Sequence, residues 1–115
     1  MKPLYALKGV NSKLEVYEDK VSLTPSGLLG LLDKGIRGTK TIPFSSITAM
    51  ELKKPGVTSG YLRFTIQGGT EKSDGFLAMG QDDNAFLFIK QLDQVVEIKN
   101  YIENRNESLR HRLLS

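Results

Sequence analysis

Hydrophobic and polar positions alternate at the two-residue period of strands through the first three quarters of the chain, then change to a helical period near residue 90. Tyr5-Ala6-Leu7-Lys8 reads as a first strand, closed by Gly9 and the turn-prone pair Asn11-Ser12. Leu14 to Tyr17 and Val21 to Thr24 flank Glu18-Asp19 and predict a hairpin with one face inward, ended by Pro25. Thr39 to Ile42 is extended again, Pro43 stops it, and Phe44-Ser45-Ser46 reads as a turn. Ile47 to Leu52 has strand character, but Ile, Ala and Glu fall on one side and Thr, Met and Leu on the other, so neither side is wholly apolar. Tyr61 to Gln67 sets Leu62, Phe64 and Ile66 against Tyr, Arg, Thr and Gln, the clearest half-buried strand of the chain. Gly75 to Met79 is expected as its antiparallel partner, and Ala85 to Ile89 is an apolar run of strand length.

From about Gln91 onward glycine and proline disappear, and Leu92, Val95, Ile98 and Ile102 recur at spacings of three and four. That stripe predicts a C-terminal helix over about 91–112, fraying past Asn106, whose apolar face needs a surface to cover. Leu23, Ile42, Ile47, Leu62, Phe64, Ile66, Phe86, Phe88, Val95, Ile98 and Ile102 are expected to share one core. The predicted fold class is mainly β (α+β). It consists of antiparallel hairpins forming a small barrel or sandwich over about 5–89, capped by the helix, in a single domain spanning 1–115. At 115 residues the length is that of one domain.

Composition removes several kinds of chemistry. The absence of cysteine excludes disulfides, a thiol nucleophile and a zinc knuckle. The single histidine, His111, stands near the C-terminal end, away from Ser45 and Ser46, which leaves no partner for serine catalysis. The carboxylate pairs Glu18-Asp19 and Asp82-Asp83 sit in turns, where such side chains bond their own backbone. Asp82-Asp83-Asn84 lacks the ligand spacing of a calcium loop. The glycines at 35 and 38 and at 68 and 69 lead into strands or hairpin loops, whereas a phosphate cradle opens a helix. No apolar run approaches the roughly 20 residues of a membrane span, and the N-terminus lacks a secretory pattern. The expectations are a non-enzyme with no cofactor and no metal, acting in the cytoplasm.

The formal charge is +3, with nine basic and five acidic residues over 1–60 against seven and eight over 61–115. No run of like charges reaches the roughly five or six that mark a nucleic-acid tail, and no basic groove is interleaved with aromatics, so no nucleic acid is expected. One candidate binding loop remains. Leu28, Leu29, Leu31 and Leu32 stand beside Lys34, Arg37 and Lys40, and apolar side chains next to cations are what a peripheral membrane contact requires. The leucines form a helical turn, a wide loop or a bent strand, and their spacing does not choose between an exposed cluster and a seal on the barrel. Arg105, Arg110 and Arg112 with Leu109, Leu113 and Leu114 offer a partner helix or a soluble end.

The stretch from Gly35 to Ala49 resembles bacterial pleckstrin-homology-like domains of unknown function. The resemblance continues through Lys54-Pro55-Gly56, Ser59-Gly60-Tyr61, Phe64, Gly68-Gly69, Asp83-Asn84 and Glu97 to Glu103, covering about residues 13–104. It implies a barrel of two sheets with a C-terminal helix across one end. It also implies a prophage-associated type, often found beside a short C-terminal oligomerisation motif. It does not imply phosphoinositide binding: Lys8, Lys13 and Lys20 form no Lys-x-Arg pattern, and Glu18-Asp19 repels phosphate. The expected function is therefore a binding or scaffolding module for a protein partner or a homo-oligomer, acting through strand edges or the terminal helix. The alternative is a peripheral adaptor that touches anionic membrane through the 28–40 loop.

Overall fold

Alternating segments become strands, and the strands fall into two antiparallel sheets. The computed structural model describes residues 2–29, 38–67 and 84–114, with helix side chains as far as Asn106. β1 (Tyr5–Lys8), β2 (Ser12–Val16), β3 (Lys20–Pro25) and β4 (Lys40–Pro43) lie side by side in that order. β5 (Ile47–Lys53), β6 (Gly60–Ile66) and β7 (Ala85–Phe88) form the second sheet. Helix α1 (Leu92–Leu114) follows, its backbone running past both the expected end at 112 and the expected fraying at Asn106. The strand expected at Gly75–Met79 lies outside the described residues; beside Gly60–Arg63 the neighbour of β6 is β7.

Register explains the core. Leu14 faces Leu23 and Val16 faces Val21 across β2 and β3, while Leu62 faces Phe86 across β6 and β7. Both inner faces meet Phe44, Val95, Ile98 and Ile102 in one buried cluster. Every expected core residue belongs to it except Ile66, which packs against it half-buried. The mixed pattern of β5 also resolves. A bulge at Thr48 inserts one extra residue between Ile47 and Ala49, so Ile47, Met50 and Leu52 all turn inward after the shift of phase. The β2–β3 hairpin departs from its expected single inward face: Ser22 and Thr24 are buried too, and the Thr24 and Thr39 hydroxyls lie 2.8 Å apart.

The two sheets do not close into a barrel, which corrects the sequence-based expectation. Pro43 has no N–H to extend a ladder, and Phe44–Ser46 then winds one 3-10 turn, so the chain passes from β4 to β5 around a corner. At the other junction Val10 N–H donates to the Leu87 carbonyl at 2.8 Å. Asn11 Nδ2 donates to the Ala85 carbonyl at 2.9 Å, and Leu87 N–H donates to Asn11 Oδ1 at 2.9 Å. A side-chain amide thus stands where a strand peptide would continue the pairing. Gly9 makes that approach possible, because a Cβ there would collide with the Leu87 carbonyl oxygen and lie 2.6 Å from the Phe86 ring.

Helix α1 runs along the β1 side of the first sheet. Gln91 Nε2 donates to the Lys8 carbonyl at 2.8 Å, the rings of Tyr101 and Tyr5 meet at 6.0 Å, and Arg105 Nε donates to the Glu18 carbonyl at 3.3 Å.

Candidate interaction surfaces

The expected binding loop is only partly described. Leu28 and Leu29 stand half-buried at the end of a short 3-10 turn, and the Leu28 side chain fills the space where a Cβ on Gly38 would sit. Lys40 opens β4, half-buried, opposite Leu23. Leu31, Leu32, Lys34 and Arg37 lie outside the described residues.

A second surface forms at the tip of the β1–β2 hairpin. Val10 is 50% exposed and Ile89 is 59% exposed. With Lys8, Gly9, Lys90 and Gln91 they line an open cleft of about 220 Å³. Lys8 stands directly opposite Lys13 in the register, an arrangement of like charges that weakens a strand pair. Among the described residues neither these two lysines nor Lys90 has an acidic partner. Sequence reading placed Ile89 in the apolar run of the strand. The strand ends at Phe88, and Ile89 follows on the face of Ala85 and Leu87 but, unlike those two, is exposed.

A third surface is a sheet edge. On the free side of β1 the Lys8 carbonyl is taken by Gln91, just before α1, and the free side of β7 is taken up by Val10 and Asn11. β4 has four residues and ends in proline. β5 has seven residues, and among the described residues no strand borders its outer side.

The direction of its backbone groups follows from β6. Phe64 N–H donates to the Asn84 carbonyl at 2.9 Å, so Phe64 addresses β7. Its partner across β5, Met50, therefore turns its own N–H and C=O away from β6, and so does Leu52 opposite Leu62. On the outer face, Tyr61 OH donates to Glu51 Oε1 at 3.0 Å, and Arg63 stands 3.9 Å from Glu51 Oε2. Lys53 Nζ donates to Thr58 Oγ1 at 2.9 Å. Nothing in a local pattern distinguishes an edge strand from a central one, so this surface left no mark in the alternation.

Residues 16–102 match the model of a family described as a domain of unknown function (DUF4429), and the chain belongs to that family. The match runs from the last residue of β2 to Ile102, the last buried residue of the helix stripe, and so takes in β3, β4 and the whole second sheet, while β1 and the rest of β2 precede it. No curated protein and no solved structure matches the chain. Among the described residues no helix is long and apolar enough to cross a membrane.

Proposed function

We propose that this domain is a non-catalytic docking module for proteins, in which the outer edge of β5 receives an extended segment of the partner. The observation that supports this reading is the outward turn of the Met50 and Leu52 backbone groups on an edge that no described strand borders. Unpaired N–H and C=O groups in a row are a template for one more strand, and the half-buried Met50 and Leu52 side chains offer its inner face an apolar footing. The proposal extends to a pleckstrin-homology-like kinship of prophage-associated type and to action in the cytoplasm. Sheets of four and three strands followed by a helix support the kinship. A capped alternating threonine–valine hexapeptide is a suitable probe. Its titration should shift the amide resonances of Met50 and Leu52 in the full chain, and an unmoved β5 would overturn the reading.

A second reading, contact with an anionic membrane, is favoured by the hairpin tip. Val10 and Ile89 present apolar surface beside three lysines that have no acidic partner among the described residues. Each cation near such a surface contributes about 1 kcal/mol, screened by salt. Vesicles containing phosphatidylserine should pellet the chain at low salt, and reversing Lys8, Lys13 and Lys90 to glutamate should release it. Release on reversing Lys34, Arg37 and Lys40 would assign the contact to the 28–40 loop, and no pelleting at all would sink both versions.

A further inference from the structure

We infer that the occupant of the β5 edge is a second copy of this chain, paired antiparallel across a two-fold axis that passes through Leu52. This rests on the docking reading above and names its partner. Four axes are compatible with a strand whose outward groups belong to Met50 and Leu52. An axis through Glu51 sets two carboxylates against each other, and an axis through Lys53 does the same with two ammonium groups, both unfavourable when directly opposite. An axis through Met50 requires Thr48 to pair with the partner's Leu52, but the strand is bulged at Thr48, which disrupts a ladder. The axis through Leu52 is free of both defects.

In that register Leu52 exchanges both backbone hydrogen bonds with the partner's Leu52. Glu51 falls opposite the partner's Lys53, and Lys53 opposite the partner's Glu51. These are non-hydrogen-bonded pairs, in which facing Cβ atoms approach to about 4.5–5.5 Å. The Glu51 side chain is 58% exposed and has Arg63 on its inner side, so the partner's Lys53 would flank it with a cation on the other. Lys53 has three donor hydrogens, and its bond to Thr58 leaves two for the partner's Glu51. On the inner face Leu52 meets its symmetry mate, and Met50 lies beside the partner's Lys54, whose alkyl stem can cover it. Pairing joins the two three-stranded sheets into one continuous sheet and covers Met50 and Leu52, which a single chain leaves half-buried.

Light scattering on the full chain after size exclusion tests the register by charge exchange. The wild type should show twice the 12.8 kDa chain mass. Glu51→Lys alone and Lys53→Glu alone each create two like-charge pairs across the axis and should run as monomers. An equimolar mixture of the two variants restores two opposite pairs and should recover the doubled mass. Dimeric single variants, or a mixture that stays monomeric, would overturn the register. A monomeric wild type would overturn self-pairing, and a synthetic peptide of residues 48–54 then separates the causes. Shifted Met50 and Leu52 amides would retain strand addition with another protein as partner, whereas unmoved amides would remove both.

Discussion

Replacing Asn11 with alanine cuts the join between the sheets at one side chain. Three bonds are lost, two of them across the join: the one from Asn11 Nδ2 to the Ala85 carbonyl and the one from Leu87 N–H to Asn11 Oδ1, each 2.9 Å long, while the third is donated by the Ser12 hydroxyl to Asn11 Oδ1 at 3.2 Å. Leu87 is only 4% exposed, and its N–H turns away from β6, so its donor is left without a partner. An orphaned buried donor costs about 1–3 kcal/mol, and an ordinary hydrogen bond contributes about 0.5–1.5 kcal/mol. Together the loss should reach about 2–4 kcal/mol, a large share of the roughly 5–15 kcal/mol that holds a domain folded. Equilibrium urea unfolding reads it as a midpoint lowered by about 1–2 M with an unchanged slope, for a slope near 2 kcal/mol/M.

Asn11→Asp is the sharper companion. It keeps the acceptor for Leu87 N–H but sets a carboxylate oxygen against the Ala85 carbonyl. The variant should be destabilised at neutral pH and recover on acidification, when the protonated carboxyl can donate. A loss below ~1 kcal/mol for alanine, or an aspartate variant as stable as the wild type at neutral pH, would refute the reasoning.

Phe64→Ala removes a ring that is almost wholly buried between the two sheets and the helix, and should cost about 3–5 kcal/mol by denaturant titration. Deleting residues 91–115 exposes the surfaces that Val95, Ile98 and Ile102 cover, worth about 1.5–3 kcal/mol for each side chain. A soluble 1–90 fragment with a cooperative melt would show that the helix is an appendage. Partial burial, the Glu97 carboxylate and Tyr101 raise the Tyr5 hydroxyl above its ordinary 10.0, so the folded chain favours the neutral phenol. That contribution is complete below about pH 10 and is lost as the pH climbs through the raised value. Melting temperature should therefore fall above that point, less steeply in Tyr5→Phe. An identical fall in both proteins would exclude the contribution, and Tyr17, raised by burial and by Glu15, accounts for part of what remains.

Short-range features of the chain were legible wherever one physical cause acted alone. The stripe of Val95, Ile98 and Ile102 needs only the helical period, and all three are fully buried. The alternation through β6 found Leu62 and Phe64 for the same reason. It overestimated Ile66, which packs against the core half-buried and lies past the described pairing of β6 with β7 at Gly60–Arg63. In β5 a single inserted residue defeated the period: the bulge at Thr48 joins Ile47 to Met50 and Leu52 on one face, so a mixed pattern belonged to an ordinary inward-facing strand.

Asn11 carries every local sign of a turn residue, yet its amide meets residues 74 and 76 positions away in the sequence. Closure was misjudged through that same residue, since a side chain in place of a peptide joins two sheets without extending either ladder. The candidate docking edge is less local still. Met50 and Leu52 are inward-facing apolar residues in any reading of the pattern, and their backbone groups matter only because β5 is the outermost of the described strands of its sheet. That position follows from Pro43 and the turn at Phe44–Ser46, which part β5 from β4, and from β6, which takes its other side. A surface set by what fails to pair leaves no period in the sequence to be read.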